Sequence, residues 1–384
     1  APFGGEKMKR IRCGRIISDG KIFPGYVYYE NGVIAEVSGR DLPCEEEYDA
    51  GEFYLAPGFI DTHTHGGADV DFTFCDAQEA IRAADFHFLH GTTTIFPTTL
   101  ASDYENTARA LRELKKAQAS GAAKGEIGGA HIEGPYFAPS MAGAQHPKYL
   151  TDPVEKDYTR ILDEFGGFVK KWSYAPERDR DAKFCRYLIG RGVLASAGHT
   201  AAIYDDMLAA YDAGLRCVTH LYSCTSTITR EKGFRRLGVI ECAYLFEDMD
   251  AELIADGKHI PKELIRLVFR LKGAEHIMLV TDSLSIAGSG KTSGELNGVP
   301  YIVEDGVAKL ADRSAFAGSV ATADRLVAEC VAAGVPLKDA VRAMTETPAR
   351  ALKLNKGRIA KGYDADFVIF DDKIAVKRVI SRGR

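Results

Sequence analysis

The chain has no Cys-x-x-Cys pair, no block of lysine or arginine, and one tryptophan among its 384 residues. No apolar run approaches the ~20 residues needed to cross a bilayer, and no secretory signal is apparent. A Gly-x-Gly-x-x-Gly turn after a strand-like run is missing, which argues against a dinucleotide-binding open sheet. So is the fixed period of a solenoid. With a net charge of −5 and no basic block, nothing favours nucleic acid or an anionic membrane. Eight scattered cysteines (Cys13, Cys44, Cys75, Cys185, Cys217, Cys224, Cys242, Cys330) fit free thiols in a reducing cytoplasm better than a disulfide framework.

What is present is ordinary globular usage, 46% hydrophobic and 27% charged, with length for one large domain and one small one. Ala1 to Lys7, ahead of Met8, are expected to be an expression remnant and are set aside. Short strands are predicted at 10–17, 26–30, 33–37 and 53–55, with Asn31-Gly32 as a hairpin signal. Residues 365–370 and 377–380 have the same texture. Neither end has enough core alone, so the two ends are expected to build one small β-sandwich, 8–55 with 356–384.

Between them, at 56–355, strand and helix alternate. Strand candidates fall at 58–63, 92–98, 128–133, 169–175, 193–199, 217–222, 251–256 and 276–282. Helical stripes run through Ala77, Ile81, Ala84 and Phe88, and through Ala323, Leu326, Val327, Cys330 and Val331. Eight βα units predict a closed parallel barrel with its site at the strands' C-terminal ends. An open doubly wound sheet is the runner-up.

The strand ends carry the chemistry. In Gly58-Phe59-Ile60-Asp61-Thr62-His63-Thr64-His65-Gly66, side chains alternate, so His63 and His65 share one side. Alone, that pair is more often an ordinary polar strand end. The third strand, however, ends in Ile132-Glu133-Gly134, the fifth in Gly198-His199-Thr200, the sixth in Thr219-His220 and the eighth in Thr281-Asp282. Five of eight strands bring His, Glu or Asp to one rim, even before His259 is counted after the seventh. Imidazoles and carboxylates without thiolates suit one or two divalent ions, Zn²⁺ foremost, with Fe²⁺, Mn²⁺ or Co²⁺ as alternatives. Such an ion lowers the pKa of water toward ~7. A carboxylate must then carry the proton, and Asp282, alone on the last strand, is the candidate.

These residues resemble the amidohydrolase superfamily. More narrowly, His131-Ile132-Glu133-Gly134-Pro135-Tyr136-Phe137, Ser196-Ala197-Gly198-His199-Thr200, Thr219-His220-Leu221-Tyr222, Ile254-Ala255-Asp256-Gly257-Lys258-His259 and Leu279-Val280-Thr281-Asp282-Ser283 resemble the N-acetylglucosamine-6-phosphate deacetylase family. The match runs from Met8 nearly to the end. It implies a distorted (β/α)₈ TIM barrel with a β-sandwich, and cytoplasmic hydrolysis of an N-acetyl group from an amino-sugar phosphate. By the same resemblance Glu133, His199 and His220 hold the principal metal, His63 and His65 a second one with Glu133 bridging and Asp282 close by, and Asp61 at most orients a ligand. His259, Ala142, Gly143, Gln145, Phe316, Ala317 and Gly318 match substrate-facing positions. Arg230 matches the phosphate-binding arginine that a neighbouring subunit supplies in the family's homodimer. The departure is Ser223-Cys224-Thr225, where the family usually has Asn-Ala-Met; that segment holds phosphate through backbone groups, so the change bears on phosphate selectivity.

Other readings are deacetylation of an unphosphorylated or different amino sugar, another amidohydrolase reaction such as deamination or cyclic-amide hydrolysis, and a non-catalytic scaffold. The intact ligand set speaks against the scaffold. Gly288-Ser289-Gly290-Lys291-Thr292 resembles the end of a P-loop, but Ser285 stands where the first glycine belongs. Leu296-Asn297-Gly298-Val299-Pro300 then reads as a hairpin, so this stretch is expected to be a flexible lid or connector beside the site.

Overall fold

The computed structural model describes residues 8–384; the expected expression remnant lies outside the described residues. Eight parallel strands, Phe59–Thr64, Thr92–Thr99, Ala130–Glu133, Val169–Tyr174, Leu194–Ala197, Cys217–Val218, Asp250–Leu253 and Ile277–Leu279, pair in that order. The ring closes where the eighth meets the first: Asp282 N donates to the His63 carbonyl and His65 N to that of Ser283, both at 2.9 Å. The barrel is therefore the predicted one, with its third and its fifth to eighth strands shorter than the sequence suggested, the sixth and eighth most of all.

The fourth strand shows how alternation builds the layers. Trp172 and Tyr174 turn outward and set their rings 5.2 and 5.3 Å from Phe184 of the helix Lys183–Gly190. Each such buried ring contributes roughly 1.5–3 kcal/mol. Lys171 and Ser173 turn inward, where polar groups stand in for the branched aliphatic layers usual in such barrels. His131 Nε2 lies 2.7 Å from Ser173 Oγ, which lies 2.7 Å from Thr219 Oγ1, itself 2.6 Å from Ser196 Oγ. A hydrogen-bonded ladder satisfies these buried groups.

Helices coat the outside. Ala77–Leu89 starts at Asp76, whose side chain accepts from Gln78 N and Glu79 N while Glu79 reaches back, a capping box. In Ala323–Ala332 the residues Ala323, Leu326, Val327 and Cys330 are buried as predicted, but Val331 is 38% exposed. Eight residues beyond Ala323 the helix has turned ~80° off the apolar face. Among the described residues no helix is long and apolar enough to cross a membrane.

Both chain ends meet in one seven-stranded sheet, with Phe367–Phe370 antiparallel to Tyr54–Pro57. Phe367 and Ile369 face a separate core with Ile11, Val27 and Leu55, whereas Val368 and Phe370 face the barrel's cluster. Asn31 and Gly32, at φ 51° and 80°, make the expected hairpin turn. A second small sheet (Ser293–Leu296, Val299–Glu304, Val307–Leu310, Phe316–Gly318) follows the eighth strand, and Asn297-Gly298 makes the hairpin that was read there. The connector before it is pinned to the loop after the first strand, Ala68 N donating to the Ala287 carbonyl at 2.7 Å.

Candidate metal centre

Glu133 lies at the middle of the rim, with 1% of its surface exposed. His220, His199 and His63 bring Nε2 to 3.1, 3.3 and 3.3 Å of its Oε1, and His65 Nε2 lies 3.1 Å from its Oε2. Asp282 Oδ1 stands 3.2 Å from His65 Nε2 and 3.5 Å from His63 Nε2. Two overlapping sets thus share Glu133: His63 with His65, and His199 with His220. His199, His220 and Asp282 all sit at positive φ (46°, 29° and 46°), a conformation costing about 1–3 kcal/mol for such residues and typical of functional sites.

The supporting contacts fix which nitrogen faces inward. His199 Nδ1–H donates to the Met141 carbonyl at 2.9 Å, and His63 Nδ1–H to Glu252 Oε2 at 3.0 Å. A neutral ring so held presents an Nε2 lone pair. The His63 Nε2 is buried without a hydrogen-bond partner, and the Nε2 atoms of His199 and His220 face each other at 3.1 Å. Lone pairs gathered this way fit a divalent cation. Asp61 touches no imidazole; it accepts from Thr281 Oγ1 at 2.6 Å and from His63 N at 3.3 Å, tying the eighth strand to the first.

The electrostatics agree. Burial opposes the charge on His65, yet Asp282 and Glu133 push its pKa up to about 10. Burial likewise opposes His199, whose pKa is nevertheless held well above the ordinary value with Cys224 and Glu133 beside it. His63 and His220 are lowered by burial. For Glu133 and Asp282 burial favours the neutral acid, but the surrounding imidazoles win and hold both below their ordinary values. His65 and His199 are thus the two rings whose charged form their surroundings favour.

Beside the cluster is a cavity of about 210 Å³, lined by Gln145, Ser223, Cys224, His259, Phe316, Ala317 and Gly318 together with His65, Glu133, His199, His220 and Asp282. Gln145 donates to Glu133 Oε2 at 2.6 Å while accepting from Ala101 N. His259 Nδ1–H donates to Asp256 Oδ2 at 2.8 Å, and its ring lies 5.0 Å from that of Phe316. Gly143, at φ +57°, packs where a Cβ would come 2.6 Å from Cys224 Sγ, so the close approach to that lining residue needs a glycine. The Ala142 carbonyl accepts from the N–H of Gln145, tying this loop to a lining residue. Arg230 stands apart: it is exposed on the hairpin Thr229–Glu231 and Phe234–Arg236, outside its own chain's cavity. The residues missed by sequence reasoning are Glu252 and Lys171, a fully buried ion pair beneath His63. Their signal was a charge in the inward register of two buried strands.

A parallel barrel with carboxylates and imidazoles converging at its C-terminal rim defines a class, the metal-dependent hydrolases built on this fold. The chain belongs to the amidohydrolase family, whose sequence profile matches residues 54–384. It is 30% identical over 362 residues to N-acetylglucosamine-6-phosphate deacetylase of Lysinibacillus sphaericus, covering 93% of this chain and 92% of that one. It is 31% identical to N-acetylgalactosamine-6-phosphate deacetylase of Shewanella sp. (strain ANA-3), covering 97% and 91%. The Mycobacterium smegmatis N-acetyl-D-glucosamine-6-phosphate deacetylase, solved as an Asp-to-Ala variant in complex with N-acetyl-D-glucosamine-6-phosphate, superposes with a TM-score of 0.91 at 30% identity over 99% of both chains.

Proposed function

We infer that the chain hydrolyses the N-acetyl group of N-acetylglucosamine 6-phosphate, releasing acetate and glucosamine 6-phosphate. The observation that carries this is the convergence of four imidazole Nε2 atoms on Glu133, with Asp282 against two of them, at the bottom of one cavity. The relatives named above supply the substrate class. Glu133, His199 and His220 would hold one divalent ion, and His63 and His65 a second beside Glu133, with Zn²⁺ the best match to the donors. Such an ion supplies Lewis acidity toward the acetyl carbonyl and acidifies water.

The chain's own residues do the rest. Asp282, ionised at neutral pH, takes the proton of the attacking water and returns it to the departing amine nitrogen. Gln145 steadies Glu133, and His259, oriented by Asp256, faces the sugar. No lysine or arginine lines the cavity among the described residues, so a phosphate dianion there lacks a counter-charge from its own chain. This supports a homodimer in which Arg230 of one subunit reaches the other's cavity, since guanidinium matches phosphate in geometry and charge. The two chain ends, 8–55 and 356–384, act as one accessory unit to the barrel at 56–355. All eight cysteines are free, which supports a cytoplasmic setting.

A second reading is the C4 epimer, N-acetylgalactosamine 6-phosphate, because the Shewanella relative is as similar as the others. One assay tests both: acetate release from each epimer's 6-phosphate and from unphosphorylated N-acetylglucosamine, before and after chelation. Activity on the glucosamine phosphate, lost on chelation and reduced about 10²–10⁴-fold in Asp282→Asn, is expected. Full activity in the chelated protein or in that variant refutes the mechanism.

A further inference from the structure

We propose that the buried Glu252–Lys171 ion pair positions His63 for a second cation, and so decides whether the centre holds one ion or two. The proposal rests on the metal reading above. Lys171 comes from the fourth barrel strand and Glu252 from the seventh, and both are fully buried. Every neighbour of the Glu252 carboxylate is a donor. Oε1 accepts from Lys171 Nζ and, at 3.4 Å, from Thr62 Oγ1; Oε2 accepts from His63 Nδ1 at 3.0 Å and from His220 N at 3.4 Å. The carboxylate is therefore saturated and serves to hold one imidazole in one tautomer.

That tautomer leaves His63 Nε2 as a bare lone pair, buried between Glu133 Oε1 at 3.3 Å and Asp282 Oδ1 at 3.5 Å. In the other half of the centre the His199 tautomer is set by the Met141 carbonyl, and Glu252 meets His220 only at its backbone N, so neither of those rings takes its tautomer from Glu252. Lys171 fixes the polarity of the arrangement. In Glu252→Gln the amide oxygen must face the Lys171 ammonium, which turns the NH₂ toward His63 Nδ1. Two donors then meet, and His63 is driven to carry its proton on Nε2, against the cation. In Lys171→Met/Glu252→Gln the amide is free to turn its oxygen back to His63. Replacing both charges together also avoids an unpaired buried charge.

The test counts ions per chain by mass spectrometry after zinc loading and measures each affinity by chelator competition, with circular dichroism to confirm folding. Two ions are expected in the natural chain. In Glu252→Gln the second ion weakens about 10–100-fold while the first is unchanged, and the double variant recovers most of the loss. Equal second-ion affinity in Glu252→Gln, no recovery in the double variant, or a single ion in the natural chain overturns the proposal and leaves the metal reading standing. No zinc in any of the three chains overturns the metal reading itself.

Discussion

The floor and the mouth of the cavity are built on opposite terms. The floor is Glu133, four imidazoles and Asp282, drawn from five strands of one chain and 8% exposed or less. His63 and His199 are oriented by Glu252 and the Met141 carbonyl, and the strain at His199, His220 and Asp282 is held by the closed barrel around them. The mouth is Ser223, Cys224, Phe316, Ala317 and Gly318, all on loops or on the small inserted sheet, with no cation among them. Gly318 sits at φ +149° against Leu284, so even its backbone approach depends on having no side chain. The contrast teaches that the groups for bond breaking come together within one chain, whereas no lysine or arginine among the described residues lines the cavity where a charged substrate would sit.

The largest effect should come from breaking the floor at its shared member. Glu133→Gln removes the carboxylate that both ligand sets use. Both ions should be lost, and acetate release should fall more than about 10³-fold, near or beyond the loss expected from a proton-carrying residue alone. Retention of either ion at natural affinity would show that the two sets are independent. A graded effect comes from pH. Since His65 is pushed up to about 10, the metal-free chain carries its proton at neutral pH, and a cation must displace it. Affinity should therefore fall as pH falls, by at least tenfold per unit between about pH 6 and 9, with protons released on loading. Titration calorimetry in buffers of different protonation enthalpy reads this release; a loading step without it would mean that His65 is already neutral.

The same contrast explains what could be read from the amino acids. The floor was legible because its residues sit at the ends of buried strands, where alternation alone brings His63 and His65 to one side and repetition at Glu133, His199, His220 and Asp282 does the rest. The hairpins at Asn31-Gly32 and Asn297-Gly298 were legible because local turn chemistry decides them. Glu252 and Lys171 were not, since their pairing spans three strands and needs the closed ring to bring them together. The inserted sheet is legible only in part: its first turn is, but Asp305-Gly306, between the strands Val299–Glu304 and Val307–Leu310, carries an equal signal. For the loop of Ala142 and Gly143 the limit is of another kind. A loop's sequence says that it approaches a site, not which of its residues form the wall.

The smallest of these effects belongs to the mouth, and it is the most diagnostic. With no lysine or arginine among the described residues lining the cavity, the proposed dimer assigns the phosphate's counter-charge to Arg230 of the neighbour. Arg230→Ala should then lower kcat/KM for the 6-phosphate roughly 10- to 100-fold, the range of a hydrogen bond to a charged group, chiefly through KM. Any slow turnover of unphosphorylated N-acetylglucosamine should not change, because that substrate makes no use of the charge. The decisive step is to mix Arg230→Ala chains with Glu133→Gln chains and let subunits exchange. In a mixed dimer the Arg230→Ala chain keeps an intact metal floor and receives Arg230 from its Glu133→Gln neighbour, so one complete site is rebuilt from two defective chains. Recovery of the low KM in the mixture supports the crossing arginine. Arg230 acting within its own chain predicts no recovery, since the only chain with an intact floor would still lack its guanidinium.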